Sequence, residues 1–186
     1  MKINKYLILF TALSIFFVSC DDDDPTPENQ EELITTLRVT FVDQATQNIY
    51  FQVFTDPDGD GGMAPEITTE PLPVDSEFEV DVEFINESVN PPDDITDEVK
   101  VEAEEHQVFF VIDQLNLIHE YADEDVNGNP LGIDNRMTTG SAGTGSLRVV
   151  LRHEPDKSAQ GVSDGDITNA GGETDIDVVF ELEVVE

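Results

Sequence analysis

"FEVDVEF", residues 78–84, alternates strictly: Phe78, Val80, Val82 and Phe84 share one parity, and Glu79, Asp81 and Glu83 share the other. A β-strand sends successive side chains to opposite faces, so as a strand this stretch has one apolar and one acidic face. Three carboxylates cannot be buried without partners, whereas each of the four apolar side chains gains ~1.5–3 kcal/mol by burial. The segment reads as a strand with one face on a core and one in water.

The same period recurs on both sides of it. Leu37, Val39 and Phe41 alternate with Arg38 and Thr40, and Ile49, Phe51 and Val53 follow as the next buried face. Further runs are Val108 to Ile112, Leu115 to Tyr121, Leu147 to Leu151, and Ile176, Val178, Phe180, Leu182 and Val184. About seven strands separated by Gly, Pro and Asn predict an all-β fold, an immunoglobulin-like antiparallel β-sandwich. One segment departs from the pattern. In "NPPDDITDEVKVEAEEHQ", 90–107, Asp93 or Asp94 is suited to cap a helix with an acidic first turn, and Ile95, Val99 and Ala103 stack at four-residue spacing. Val99, Val101 and Ala103 also alternate as a strand would; the expectation is one short inserted helix, with His106 continuing its stripe.

The chain has 42 acidic against 8 basic side chains, a formal charge of -34. Such a field repels nucleic acid and anionic lipid and attracts cations. Charge of this size often marks disorder, but 38% hydrophobic residues and 11 phenylalanines in regular alternation do not. Residues 33–186 are one domain's worth of chain, expected as a monomer.

At the N-terminus, Lys2 and Lys5 precede an uncharged stretch from Tyr6 to Val18, too short to span a bilayer as a helix. A basic start, a short apolar middle and small Ser19 have the layout of a secretory signal. The break falls at Cys20, the only cysteine, so residues 1–19 resemble a lipoprotein signal with Cys20 as the acylated first residue of the mature chain. An exported chain with one cysteine forms no internal disulfide. Asp21, Asp22, Asp23 and Asp24 resemble an acidic surface-export signal, or are simply a solvated tether. Residues 20–32, with Pro25 and Pro27, form a spacer. The expected place is the outer membrane, lipid-anchored and facing the cell surface, with the periplasmic face as the alternative.

Two acidic loops match the opening of a calcium loop, in which alternate oxygens turn inward and a sixth-place glycine permits the bend. "DPDGDG" offers Asp56, Asp58 and Asp60; "DEDVNG" offers Asp123, Asp125 and Asn127, with Asp134 at the twelfth place. Both also read as plain β-turns, since Asn-Gly and Asp-Gly are hairpin signals.

Each of the three histidines has an acidic neighbour: "EEHQ" around His106, "IHEY" around His119 and "RHEPDK" around His153. Imidazole with carboxylate is a ligand set for zinc or another transition metal. The candidates are His106, His119, His153, Glu105, Glu154 and Asp156, and the competing reading is three core or rim histidines bonded to neighbours. His153 follows Leu147, Val149 and Leu151 on an inward parity, and His119 follows Leu115 and Leu117. The polar stretch 161–178 is a solvated loop or an ordered one whose Asp164, Asp166, Asn169 and Glu173 add oxygens near His153.

Enzyme signals are thin. There is no HExxH and no nucleophilic cysteine, "GSAGTGS", 140–146, lacks the phosphate-loop lysine, and the GxSxG letters of "GVSDG", 161–165, fall in the polar stretch 161–178 rather than on a turn between a strand and a helix. A sugar cleft is poorly served by no tryptophan and three tyrosines. The chain reads as non-enzymatic.

"SCDDDD", "ELITTLRVTF", "DPDGDGG", "EEHQVFF", "ADEDVNGNPLG", "LRHEPDK" and "GVSDGDITNAGGETDIDV" together resemble a family of small Bacteroidota lipoproteins, mostly from Flavobacteria-like genomes. That family often carries the label "type 1 periplasmic binding fold superfamily protein". The label implies a two-lobed α/β solute-binding protein on a much longer chain, which the near absence of helical periodicity here does not match. What the resemblance implies is a cell-envelope lipoprotein working beside a TonB-dependent transporter. The expected function is a ligand-binding accessory, for a metal or metal complex; the alternative is a structural or adhesive surface module with calcium stiffening its loops.

Overall fold

The computed structural model describes residues 33–57 and 62–186. Cys20 and Asp21 to Asp24, and Asp58 and Asp60 of the first acidic loop, lie outside the described residues. Eleven strands form among them, in chain order: β1 (Thr36–Asp43), β2 (Ile49–Thr55), β3 (Glu66–Thr69), β4 (Leu72–Pro73), β5 (Glu77–Asn86), β6 (Asp93–Asp94), β7 (His106–Asp113), β8 (Leu117–Tyr121), β9 (Asp134–Thr139), β10 (Gly143–His153) and β11 (Glu173–Val185). They make an antiparallel sandwich with one short helix, α1 (Ile95–Val101). One sheet has the order β3-β2-β1-β5-β9-β8, with β6 added to β5; the other is β4-β11-β10-β7. The two-residue β4 is the exception, pairing parallel to β11.

The alternation read at 78–84 is the mechanism of the fold. Phe78, Val80, Val82 and Phe84 are at most 1% exposed; with Leu37, Val39 and Phe41 of neighbouring β1 they form one face of a core shared with the inward row of β11 in the other sheet. On the outer face Arg38 meets Glu83 across the β1–β5 pair at 3.0 Å. All seven expected strands form. β3, β4 and β6 are too short, and β9 ("DNRMTT") too polar, to show the period.

β2 corrects the expected parity. Ile49 and Phe51 are exposed, and Tyr50, Gln52 and Phe54 face inward instead. Gln52 holds a fully buried position because its amide matches the backbone of Glu70, donating to Glu70 O at 3.0 Å and accepting from Glu70 N at 3.1 Å. A buried amide with both ends bonded costs little, so the apolar set was free to face out.

α1 is shorter than its stripe. Asp94 caps it by accepting from Thr96 N at 3.1 Å, and Thr96 Oγ1 is tied to Phe84 N and O of β5 at 2.9 and 3.2 Å. Ile95 and Val99 are buried. The helix ends at Val101, so His106 opens β7 rather than closing a helical face. No described helix is long and apolar enough to cross a membrane.

The second sheet is buried on both sides at one end. Segment 161–172 contains two 3-10 turns, Val162–Asp164 and Ile167–Asn169. It lays Val162 and Ala170 over Phe109 and Val150, a small second core on the sheet's outer face. Of the residues expected to add oxygens near His153, Asp166 serves its own turn by accepting from Thr168 N at 2.9 Å, and Asn169 Nδ2 donates to Gln160 O.

Candidate metal centre

His106 and His153 are the last cross-strand pair of β7 and β10. They continue the inward rows of Val108 and Phe110 and of Leu147, Val149 and Leu151, so both rings enter the sandwich at its covered end. The side chains are 0% and 4% exposed, and the rings stack with centroids 4.5 Å apart and planes at 20°.

The third member was not legible. Asp175 precedes Ile176, an inward residue, so strand alternation turns it outward. Between β10 and β11 the register runs Leu151↔Ile176 and then Arg152↔Thr174, leaving Asp175 as an extra residue on β11. A β-bulge of this kind re-aims a side chain. The Asp175 side chain is fully buried, with Oδ2 3.9 Å from His106 Nε2 and Oδ1 4.0 Å from His153 Nδ1. The missing signal is the bulge, which no residue type announces.

The proton on His106 can be placed. Its Nδ1 lies 3.2 Å from Glu102 O, and a carbonyl only accepts, so Nδ1 carries the hydrogen and neutral His106 presents a bare lone pair at Nε2. Burial pushes the imidazole pKa down, with the Glu102 bond opposing and the neighbouring His153 assisting. The Nε2 lone pair therefore faces a carboxylate oxygen, acceptor to acceptor, an arrangement that a cation between them stabilises.

His106, His153 and Asp175 each bring one ligand atom within 4.8 Å of the others. A tetrahedral ion about 2.0–2.1 Å from N and O donors sets them roughly 3.3–3.4 Å apart. The two histidine-to-carboxylate separations, 3.9 and 4.0 Å, are wider by about half an ångström, and the stacked rings must splay for both nitrogens to point at one ion. Two imidazoles and one carboxylate suit zinc-like ions and leave a fourth position open.

A second group shares His153. Glu105, His153 and Glu154 also place ligand atoms within 4.8 Å of one another. His153 Nε2 is 4.0 Å from Glu105 Oε2, on a side chain 58% exposed. Glu154 sits in the left-handed region at φ 49°, and its N–H donates to Glu105 O at 2.6 Å, which sets the two glutamates side by side.

Other expected ligands are elsewhere. His119 belongs to the opposite sheet, on β8, where Nε2–H donates to Asn135 Oδ1 at 2.9 Å and the ring packs on Phe110 and Tyr121. The direction is fixed because Asn135 Nδ2 already donates to Gly132 O. Asp156 Oδ1 accepts from Ser158 N and Oγ in its own turn.

The acidic loop 123–134 also differs from the calcium expectation. Asp123 spends one oxygen on Gly132 N and the other on Ile133 N and Asp134 N, at 2.7–2.9 Å. Asp125 Oδ1 accepts from Asn127 N and Asn129 N, while Asn127 Nδ2 donates to Glu104. At Asp125 Oδ2 the positive charge is Lys157 Nζ, at 3.0 Å, which also donates to Ala103 O and Pro130 O. The loop is a turn with a lysine as its cation. Of the three candidate ligands in the first loop, Asp56 lies among the described residues, and its N–H donates to Thr35 O at 2.7 Å.

No family model, curated protein or solved structure matches this chain.

Proposed function

We propose that this chain is a non-enzymatic, lipid-anchored protein of the cell exterior whose sandwich binds a zinc-like transition-metal ion as exchangeable cargo. The observation that carries the reading is the buried convergence of His106, His153 and Asp175. Three protein ligands with one position left open favour exchange over a closed structural site, and a chain of charge -34 draws cations toward itself. The partner in this reading is a TonB-dependent outer-membrane transporter, and the anchor is acylated Cys20. Those two elements rest on the N-terminal sequence and the family resemblance.

Calorimetric titration of the metal-free protein with Zn²⁺ tests the binding. One ion at micromolar affinity or tighter, lost in Asp175→Asn, is the expected result; no binding overturns it. Incorporation of labelled palmitate, absent in Cys20→Ser, tests the anchor, and recovery of a transporter from native membranes tests the partner. The adhesive alternative has one observation in its favour, the apolar outer face formed by exposed Ile49 and Phe51 and half-buried Val53 on β2.

A further inference from the structure

The two candidate groups differ in one respect that matters for exchange. His106, Asp175 and His153 are closed from solvent, at 0%, 0% and 4% side-chain exposure, while Glu105 is 58% exposed and Glu154 is exposed. A single imidazole joins them, with His153 Nδ1 toward Asp175 and Nε2 toward Glu105. We infer that Glu105, Glu154 and His153 Nε2 form an entry station that captures the ion from solvent and passes it through His153 to the buried His106–Asp175 station. The inference rests on the metal-binding reading above and adds the route.

Three features of the chain carry it. Glu154 holds a left-handed backbone that is uncommon for a non-glycine residue, and backbone outliers of this sort gather at functional sites. The Glu154 N–H bond to Glu105 O holds the two residues together, and their carboxylates lie within 4.8 Å of a His153 ring nitrogen. A neutral imidazole has only one lone pair, so His153 serves one station at a time. Occupancy is therefore sequential, with one ion per chain.

The exchange moves the ion and shifts the ring tautomer: the metal–Nε2 and Nδ1–H bonds break, the metal–Nδ1 and Nε2–H bonds form, the Nδ1 proton leaves by way of Asp175 to water, and water supplies the proton on Nε2. An ion held at Nε2 leaves the ring hydrogen on Nδ1, toward Asp175. An ion held at Nδ1 leaves it on Nε2, toward Glu105. Each carboxylate thus accepts the hydrogen when the other station holds the metal.

Stopped-flow mixing of the full chain with Co²⁺, followed by its visible absorption, tests the route. In Glu105→Gln/Glu154→Gln the inner ligands remain, so the equilibrium affinity stays within about threefold while association slows about tenfold or more, as expected when a charged capture surface is removed. In His106→Asn, with Asp175→Asn as a second variant should the first fail to fold, fast capture persists and affinity falls at least about a hundredfold. Unchanged association in the double glutamine variant overturns the entry station while leaving the buried site standing. An equal loss of affinity in all three variants overturns it too, because the glutamates would then be ligands of one site. Two ions bound together at similar affinity overturn the shared imidazole, and no Co²⁺ or Zn²⁺ binding by the wild type overturns both readings.

Discussion

Two buried polar corners of this domain solve the same electrostatic problem in opposite ways. At Asp125 the chain supplies its own cation: Lys157, 7% exposed, gives its ammonium three acceptors, and the carboxylate takes N–H bonds from the turn beside it. At Asp175 the facing groups are imidazoles, one of which turns a lone pair toward the carboxylate. The first corner is complete without a ligand. The second brings together two imidazoles and a carboxylate, the donor set on which the proposed cation site rests.

The largest test of this contrast removes the internal cation. Lys157→Met leaves Asp125 buried without its ammonium, a change that costs about 3–5 kcal/mol when one partner of a buried pair is lost. Urea denaturation measures it. Adding Asp125→Asn, which keeps the oxygen that accepts the turn N–H bonds, should recover part of the loss. Zn²⁺ binding in the double variant should stay near wild type, since Lys157 touches neither histidine in its bonds.

The second test supplies the external cation. At a free Zn²⁺ concentration a hundred times Kd the folded state gains about 2.7 kcal/mol, which for a domain of this size raises Tm by roughly 5–10 °C. Asp175→Leu abolishes that rise. The readout is the shift on adding Zn²⁺ rather than the absolute Tm, and a Zn²⁺-dependent rise that survives in Asp175→Leu would show that the ion binds without that carboxylate.

A third test acts on the backbone that aims Asp175. Gly172 has φ 66°, and a Cβ there overlaps His153 O and crowds Glu154 O. Gly172→Ala should cost at least about 1 kcal/mol, as expected for Ala at positive φ. It should also weaken Zn²⁺ binding, since the strand pair must shift beside the bulge. Gly171, also at positive φ but with open space around its Cβ, is the control: Gly171→Ala carries the φ cost without the overlap.

These corners also show why the fold was easier to read than the site. Phe78 to Phe84 and Ile176 to Val184 announce their faces because alternation is a direct consequence of strand geometry. The same rule failed at β2, where a paired Gln52 made the apolar parity dispensable. It failed again at Asp175, where one inserted residue reversed the face. His153 was identified as inward by its strand row, and His106 by a helical stripe that ends before it, yet their adjacency is a matter of cross-strand register between β7 and β10, which are not consecutive in the chain. The calcium pattern 123–134 was misleading for a related reason. The acidic spacing is present, but Lys157, remote in sequence, provides the charge.

The smallest test separates the corners by pH, and the signs differ in where they act. The turn N–H groups and Lys157 outweigh the effect of burial and hold the Asp125 carboxyl below its ordinary 3.8. Its stabilisation is present above that value and is lost as pH falls through the lower folded pKa. Burial holds His119 below the ordinary 6.5, with the Asn135 bond opposing. The unfolded chain binds that proton first, so the stability is full above about 6.5 and declines as pH falls from there toward the folded pKa, at no more than about 1.4 kcal/mol per pH unit for one proton. His119→Gln keeps an N–H donor for Asn135 and removes the titration. The slope of unfolding free energy between pH 6.5 and 5 should therefore flatten in this variant, while the acid limb below 4, which includes Asp125, is unchanged. An unflattened slope would mean that His119 takes up its proton in the folded state as readily as in the unfolded chain.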